Sequence, residues 1–177
     1  MKATVNQDLI NLYKCRIYIP GYGAIIPYVL PDISDQKGAV YNDEPIQARA
    51  TPLKTYAYSE NRSISLTLHF IAKSKNDIYR NLYDSRALQS ALYPRDEFAG
   101  ANAPFVPPAV CKIRCGRILA DYDLCVVLKN YSVKYPTDVP WDEETYLPWK
   151  FDVDTSWDVV YKSSDLPGAN RILNFGR

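Results

Sequence analysis

From Ser63 to Phe70 apolar and polar residues alternate without a break. Ile64, Leu66, Leu68 and Phe70 fall on one side, and Ser63, Ser65, Thr67 and His69 on the other. A period of two is the repeat of a strand with one buried face, so this segment is predicted as a strand. Ser74-Lys75-Asn76-Asp77 follows. A serine with an acid three residues on is close to a capping box and predicts a helix start. Pro94, after Leu92-Tyr93, stops it. The helix predicted over about 76–92 buries Ile78, Leu82, Leu88 and Leu92, with Tyr79 and Tyr83 beside them, while Ser85, Arg86 and Gln89 interrupt the stripe.

The same pattern locates further elements. Tyr13 to Ile19 alternates and stops at Pro20-Gly21, which predicts a first strand. Gly21 to Leu30 is apolar but punctuated by Pro27, and reads as an ordered loop. Asp32 to Asp43 is polar and reads as an exposed loop. Ala48-Arg49-Ala50 and Lys54 to Tyr58 read as short strands around Pro52. Beyond the helix lies a proline-rich loop, Asp96 to Pro108, with Phe98, Phe105 and Val106 as anchors. Strands are predicted for Ala109 to Cys115, for Arg117 to Asp121 after a turn at Gly116, and for Leu124 to Tyr135 with an interruption near Asn130. Thr137 to Trp149 is a loop. Phe151 to Tyr161 is a strand with Phe151, Val153, Trp157, Val159 and Tyr161 on one face and Asp152, Asp154 and Asp158 on the other. The fold class expected is mainly β with one flanking helix (α+β). An N-terminal strand and extended loop arm (1–49), a β domain (50–162) and a C-terminal tail (163–177) divide the chain.

Composition narrows the function. The 177 residues suffice for one domain with a real core. With 21 Lys plus Arg against 20 Asp plus Glu, the net charge of +1 provides no basic field for nucleic acid. Apolar runs are short and the first residues lack an apolar signal core, so neither membrane insertion nor secretion is expected. Fifteen tyrosines and thirteen prolines against seven glycines describe a stiff β protein rich in contact-making side chains.

The candidate chemistry is thin. Cys15, Cys111, Cys115 and Cys125 are read as free thiols of a reducing compartment. Cys111 and Cys115 share a strand face but lie more than about a dozen ångströms apart at ~3.3 Å per residue, too far for one zinc ion. His69, the sole histidine, lies on the polar face of its strand with no nucleophile motif in the chain, and is read as a surface or interface residue. Asp152, Asp154 and Asp158 lack the glycine and terminal glutamate of a calcium loop and read as an acidic face that is solvated or meets basic neighbours. Gly21-Tyr22-Gly23 lacks the rest of a dinucleotide fingerprint. No catalytic residue, metal or cofactor is expected. One alternative remains: a small β-rich carbohydrate-binding protein or hydrolase stacking sugars on Trp141, Trp149 and Trp157, with Asp142, Glu143 or Asp154 as acids.

Three segments carry a family resemblance. They are Ile64 to Ala72 with its helix closing in Leu88-Gln89-Ser90-Ala91-Leu92-Tyr93-Pro94; the loop Ala103 to Pro108 running into Cys111 to Arg117; and Leu124 to Tyr135 followed by Phe151 to Tyr161. Over roughly 50–162 this order is similar to baseplate hub and tail-tube-like proteins of contractile-tailed bacteriophages. Gly21 to Asp43 has no counterpart in that pattern. The resemblance implies a tail-tube-like β-sandwich or partly closed barrel, and a structural, non-enzymatic subunit of the virion baseplate assembled in the host cytoplasm. It also implies a homohexameric ring in contact with other tail and baseplate proteins, as hub adaptor, tube initiator or tube-to-wedge clamp. The N-terminal segment and the tail would then reach neighbours, with Tyr22, Tyr28, Phe105, Trp141, Trp149 and Phe175 as interface residues.

Overall fold

A computed structural model describes residues 15–47, 50–94, 107–120 and 122–161. Nine strands and one helix lie among them: β1 (Cys15–Ile19), β2 (Gly23–Ile25), β3 (Asp32–Gln36), β4 (Ala39–Glu44), β5 (Leu53–Ser59), β6 (Ser63–Ile71), α1 (Lys75–Ser90), β7 (Cys111–Cys115), β8 (Leu124–Lys134) and β9 (Lys150–Val159). Seven strands form one sheet in the order β2-β1-β7-β8-β9-β6-β3, and β4 and β5 form a separate two-stranded sheet. Every pairing is antiparallel.

The fold is therefore mainly β with one helix. The large sheet is open rather than partly closed into a barrel, because its end strands β2 and β3 do not pair with each other. β1 and β3, which the sequence places in an N-terminal arm, are strands of the same sheet as β6 and β9.

The alternating segments behave as their period requires. Ile64, Leu66, Leu68 and Phe70 of β6 are buried, as are Phe151, Val153, Trp157 and Val159 of β9. The two strands pair along their whole length, Ser63 opposite Asp158 and Ile71 opposite Lys150. One apolar cluster draws on β1, β2, β6, β7, β8 and β9, and takes Ala87 and Leu88 from α1 and Ala91 from the position just after it; Ile33 of β3 packs at its margin. The one buried hydroxyl of β9 is satisfied: Thr155 Oγ1 donates to Leu66 O at 3.0 Å and accepts from Trp157 Nε1 at 2.8 Å. Within β8 a bulge between Leu128 and Asn130 produces the interruption read from the sequence.

Several elements differ from expectation. The loop expected at Asp32 to Asp43 is two strands. β3 has almost no apolar content, and its strand character comes from its ladder to β6, Asp32 opposite Thr67 through Gln36 opposite Ser63. β4 begins after Lys37-Gly38, where Glu60 N donates to Gly38 O at 2.9 Å and closes the base of the β4–β5 hairpin. Within Gly21 to Leu30, Gly23–Ile25 is a short strand on β1. The strand expected at Arg117 to Asp121 is instead a turn through residue 120: Gly116 adopts φ 54°, and Ile118 N donates to Cys115 O at 3.1 Å. Ala48, Arg49 and Asp121 lie outside the described residues, as do Phe98, Phe105, Val106 and the tail from residue 162.

The helix starts as read. Ser74 caps it, with its hydroxyl accepting from Asp77 N and the Asp77 carboxylate accepting from Ser74 N. Its buried face differs from the predicted stripe. Asn81, Asp84 and Ser85 are buried beside Ile78 and Leu88, whereas Leu82 and Leu92 are only partly covered.

The free-thiol reading is corrected for two cysteines. Cys15 and Cys115, separated by 100 positions, are directly opposite across β1 and β7 and form a disulfide. Cys125 keeps its thiol, and the buried Cys111 donates weakly to Ala109 O at 3.6 Å.

Candidate protein–protein interface

The turn between β1 and β2 aims a tyrosine at the helix. Gly21 and Gly23 hold φ 77° and 119°, values open to glycine at little cost. Tyr22 N donates to Ile19 O at 3.1 Å and tightens the turn. The Tyr22 ring lies 5.1 Å from that of Tyr83, and its hydroxyl donates to the Asp84 carboxylate. Burial pushes the Tyr22 hydroxyl well above its ordinary range, and the bond to Asp84 adds to this. Burial also raises the Asp84 carboxyl, partly offset by that same bond. The pair is thus a proton-holding link that fastens the β1–β2 turn to α1.

Beyond Ile25 the chain leaves the sheet as Ile26-Pro27-Tyr28-Val29-Leu30-Pro31. The two prolines deny the segment ladder donors, so it runs over the surface rather than pairing. Its apolar side chains are left uncovered, with Tyr28 63% and Leu30 58% exposed and Ile26 and Val29 also open. The Lys73 ammonium sits 4.3 Å over the Tyr28 ring. On α1, Tyr79 and Tyr83 are one turn apart and both exposed. Between loop and helix is a cavity of about 30 Å³ lined in part by Tyr28, His69, Arg80 and Asp84. It has room for about one water and is far below the size of a ligand pocket. The Ile26–Leu30 segment is thus an exposed aliphatic and aromatic surface with Lys73 against it. Exposed apolar patches of this kind mark protein contact sites.

Of the interface residues expected from the sequence, Tyr22 and Tyr28 are both in this region. Trp141 and Trp149 are in the 137–149 loop, which Lys75 connects to the start of α1 through Glu144 at 2.5 Å and Asp142 at 3.8 Å. Trp141 is exposed. Trp149 is partly covered and serves the backbone, its carbonyl accepting from Ala72 N at 2.9 Å and its amide donating to Pro140 O at 3.2 Å. Phe105 and Phe175 lie outside the described residues. Ile26, Val29, Leu30, Tyr79 and Tyr83 were not singled out as contact residues. An unalternating apolar run between prolines, and two tyrosines at i, i+4 off the buried stripe, are the signals that mark them.

The outer sheet face carries the polar groups. His69 Nδ1 is 2.7 Å from Asp152 Oδ1, and Nε2 is 3.4 Å from Asp32 Oδ2. The hydrogen bond to Asp152 raises the histidine above its ordinary value against the opposing effect of burial. Thr67 Oγ1 donates to Asp154 at 2.6 Å, and Lys129 pairs with Asp158 at 3.2 Å. Each acid of β9 is therefore met by a neighbouring strand. Among the described residues no group of three His, Cys, Asp or Glu side chains is placed to hold a metal, and no helix is long and apolar enough to cross a membrane. The sugar-stacking arrangement loses one platform, since Trp157 is fully buried. Asp142 accepts from Thr145 N and Oγ1 at 3.0 and 2.6 Å, which holds its carboxyl below the ordinary range.

No protein-family model matches this chain, and neither does any curated protein.

Proposed function

We propose that this chain is a structural subunit of a phage tail baseplate, forming or capping a ring around the tail tube as hub adaptor, tube initiator or tube-to-wedge clamp. The observation that supports it best is the uncovered Ile26–Leu30 segment, with Tyr79 and Tyr83 also exposed on α1. A surface with this much apolar area is costly for a lone chain and natural for one that is covered by neighbours. Among the described residues no strand pairs with the outer edges of β2 and β3, which agrees with this, because an open sheet is guarded in assemblies by what packs against it. A six-fold ring in contact with other tail and baseplate proteins is the arrangement proposed, with the particle as the site of action.

Light scattering on the purified chain over a wide concentration range, with negative-stain imaging of the largest species, tests this. A closed ring, or a monomer that joins a ring when tail components are added, is the expected result. A monomer that ignores tail components and saturably binds a carbohydrate overturns it.

A further inference from the structure

The β1–β7 ladder sets Arg16 directly across from Arg114. Both alternate with the buried residues of their strands and so stand on the outer sheet face. Like charges directly opposite in an antiparallel pair repel, and a counter-charge must offset them. Asp123 supplies one. Both its oxygens accept from Arg16 Nη2, at 2.9 and 3.0 Å. Arg114 Nη1 stands 3.9 Å from Asp123 Oδ1, beyond hydrogen-bond distance. One carboxylate is shared by two guanidiniums and satisfies only Arg16.

Arg114 Nε is buried and makes no hydrogen bond, the sole such side-chain nitrogen or oxygen among the described residues. A buried donor in this state has given up water and gained no partner, which in folded proteins points to a bound water, ion or ligand. The Arg114 side chain keeps 16% of its surface open, so it is not sealed off. Positive charge is also in excess. Lys112, two residues along β7 on the same face, is exposed and makes no ion pair among the described residues. Beyond Cys125 and Val127 of β8, the acid of β9 next in register is Asp158, which Lys129 holds at 3.2 Å.

A water would satisfy Nε and leave the charge standing. An oxyanion does both, because its paired oxygens match the Nε–Nη2 edge of a guanidinium. We infer that Arg114 and Lys112 form a binding site for a small oxyanion, a phosphate or carboxylate group. Two oxygens accept from Arg114 Nε and Nη2, and the Lys112 ammonium meets the remaining charge. Asp123 lies on the Nη1 side of Arg114, away from this edge, and its bond to Arg16 relieves the repulsion between the two arginines.

The test is an NMR titration of the natural chain with sodium phosphate and, separately, sodium succinate, with ionic strength held constant by sodium chloride. The Arg114 Nε–H resonance, assigned by its loss in R114K, is expected to shift saturably while that of Arg16 moves little. Saturation by phosphate, by succinate or by both supports the site and names the source of the oxyanion. R114K keeps the charge without the fork and should weaken binding at least about tenfold, read from the backbone amides of β7. K112Q alters only an exposed side chain, so it keeps the fold, and should weaken binding about threefold, with K37Q unchanged. Shifts that rise without saturating, that chloride alone reproduces, or that K112Q leaves as they are overturn the site. None of these results bears on ring formation, which light scattering reads separately.

Discussion

Replacing Leu68 by alanine probes the centre of the core. Leu68 is 0% exposed on β6, with Val153 of β9 directly opposite. β6 is held between β9 and β3 by two antiparallel ladders, so its backbone has little freedom to move into a void. About three methylene-sized groups at ~0.8 kcal/mol each put the transfer loss near 2.4 kcal/mol. A residual cavity of about 50 Å³ at ~24 cal/mol per Å³ adds roughly 1.2 kcal/mol, for a total near 3.6 kcal/mol. Leu82 is a matched control. It lies on α1 and is only partly covered. Leu82→Ala is expected to cost about 1–2 kcal/mol, because less area leaves water and the site collapses more fully. Urea unfolding followed by circular dichroism measures both, and the slopes should match that of the natural chain. A gap of about 2 kcal/mol between the variants is a large share of the ~5–15 kcal/mol total expected of a domain. Equal losses at the two sites would refute the claim that ladder rigidity and full burial set the cost.

Three further outcomes follow from single residues. His69 is raised by Asp152, so its contribution to stability is whole below the ordinary histidine value of about 6.5 and fades as pH climbs through the higher folded value. Unfolding midpoints from about pH 6 to about pH 9 should fall more steeply for the natural chain than for His69→Gln, and identical slopes would remove His69 as the cause. Ser74→Ala takes away the helix cap and is expected to cost about 1 kcal/mol by thermal unfolding, with Ser74→Asp close to neutral. Tyr146 holds φ 53° in the 137–149 loop, so Tyr146→Gly should stabilise by about 1 kcal/mol in the same assay, and a loss would show that its ring makes compensating contacts.

Much of the strand content was legible because alternation is a local signal. β6 and β9 show it over their full lengths, and the Asn130 interruption in β8 marked a bulge. β3 was not legible. In Asp32-Ile33-Ser34-Asp35-Gln36 only Ile33 is apolar, and the segment is a strand because β6 offers it backbone partners. The buried face of α1 misled for a related reason. Asn81, Asp84 and Ser85 look like breaks in a stripe, yet Asp84 is buried with the Tyr22 hydroxyl as partner and Ser85 Oγ donates to Leu82 O at 2.8 Å. The disulfide was invisible because only the β1–β7 register brings Cys15 to Cys115.

The candidate site divides in the same way. Tyr22 and Tyr28 were picked out as contact residues, but their surroundings were not. The chain alone determined the alternating strands, the Ser74 cap, the near-zero charge and the surplus of tyrosine, each a property of neighbours in sequence. Tertiary structure decided which apolar side chains remain uncovered. Ile17 and Ile19 are fully buried in the core cluster, while Ile26, Tyr28 and Leu30, a few residues on, stay in water. Periodicity states which way a side chain points relative to its own strand. Whether anything lies in that direction depends on elements distant in sequence, and only their packing supplies the answer.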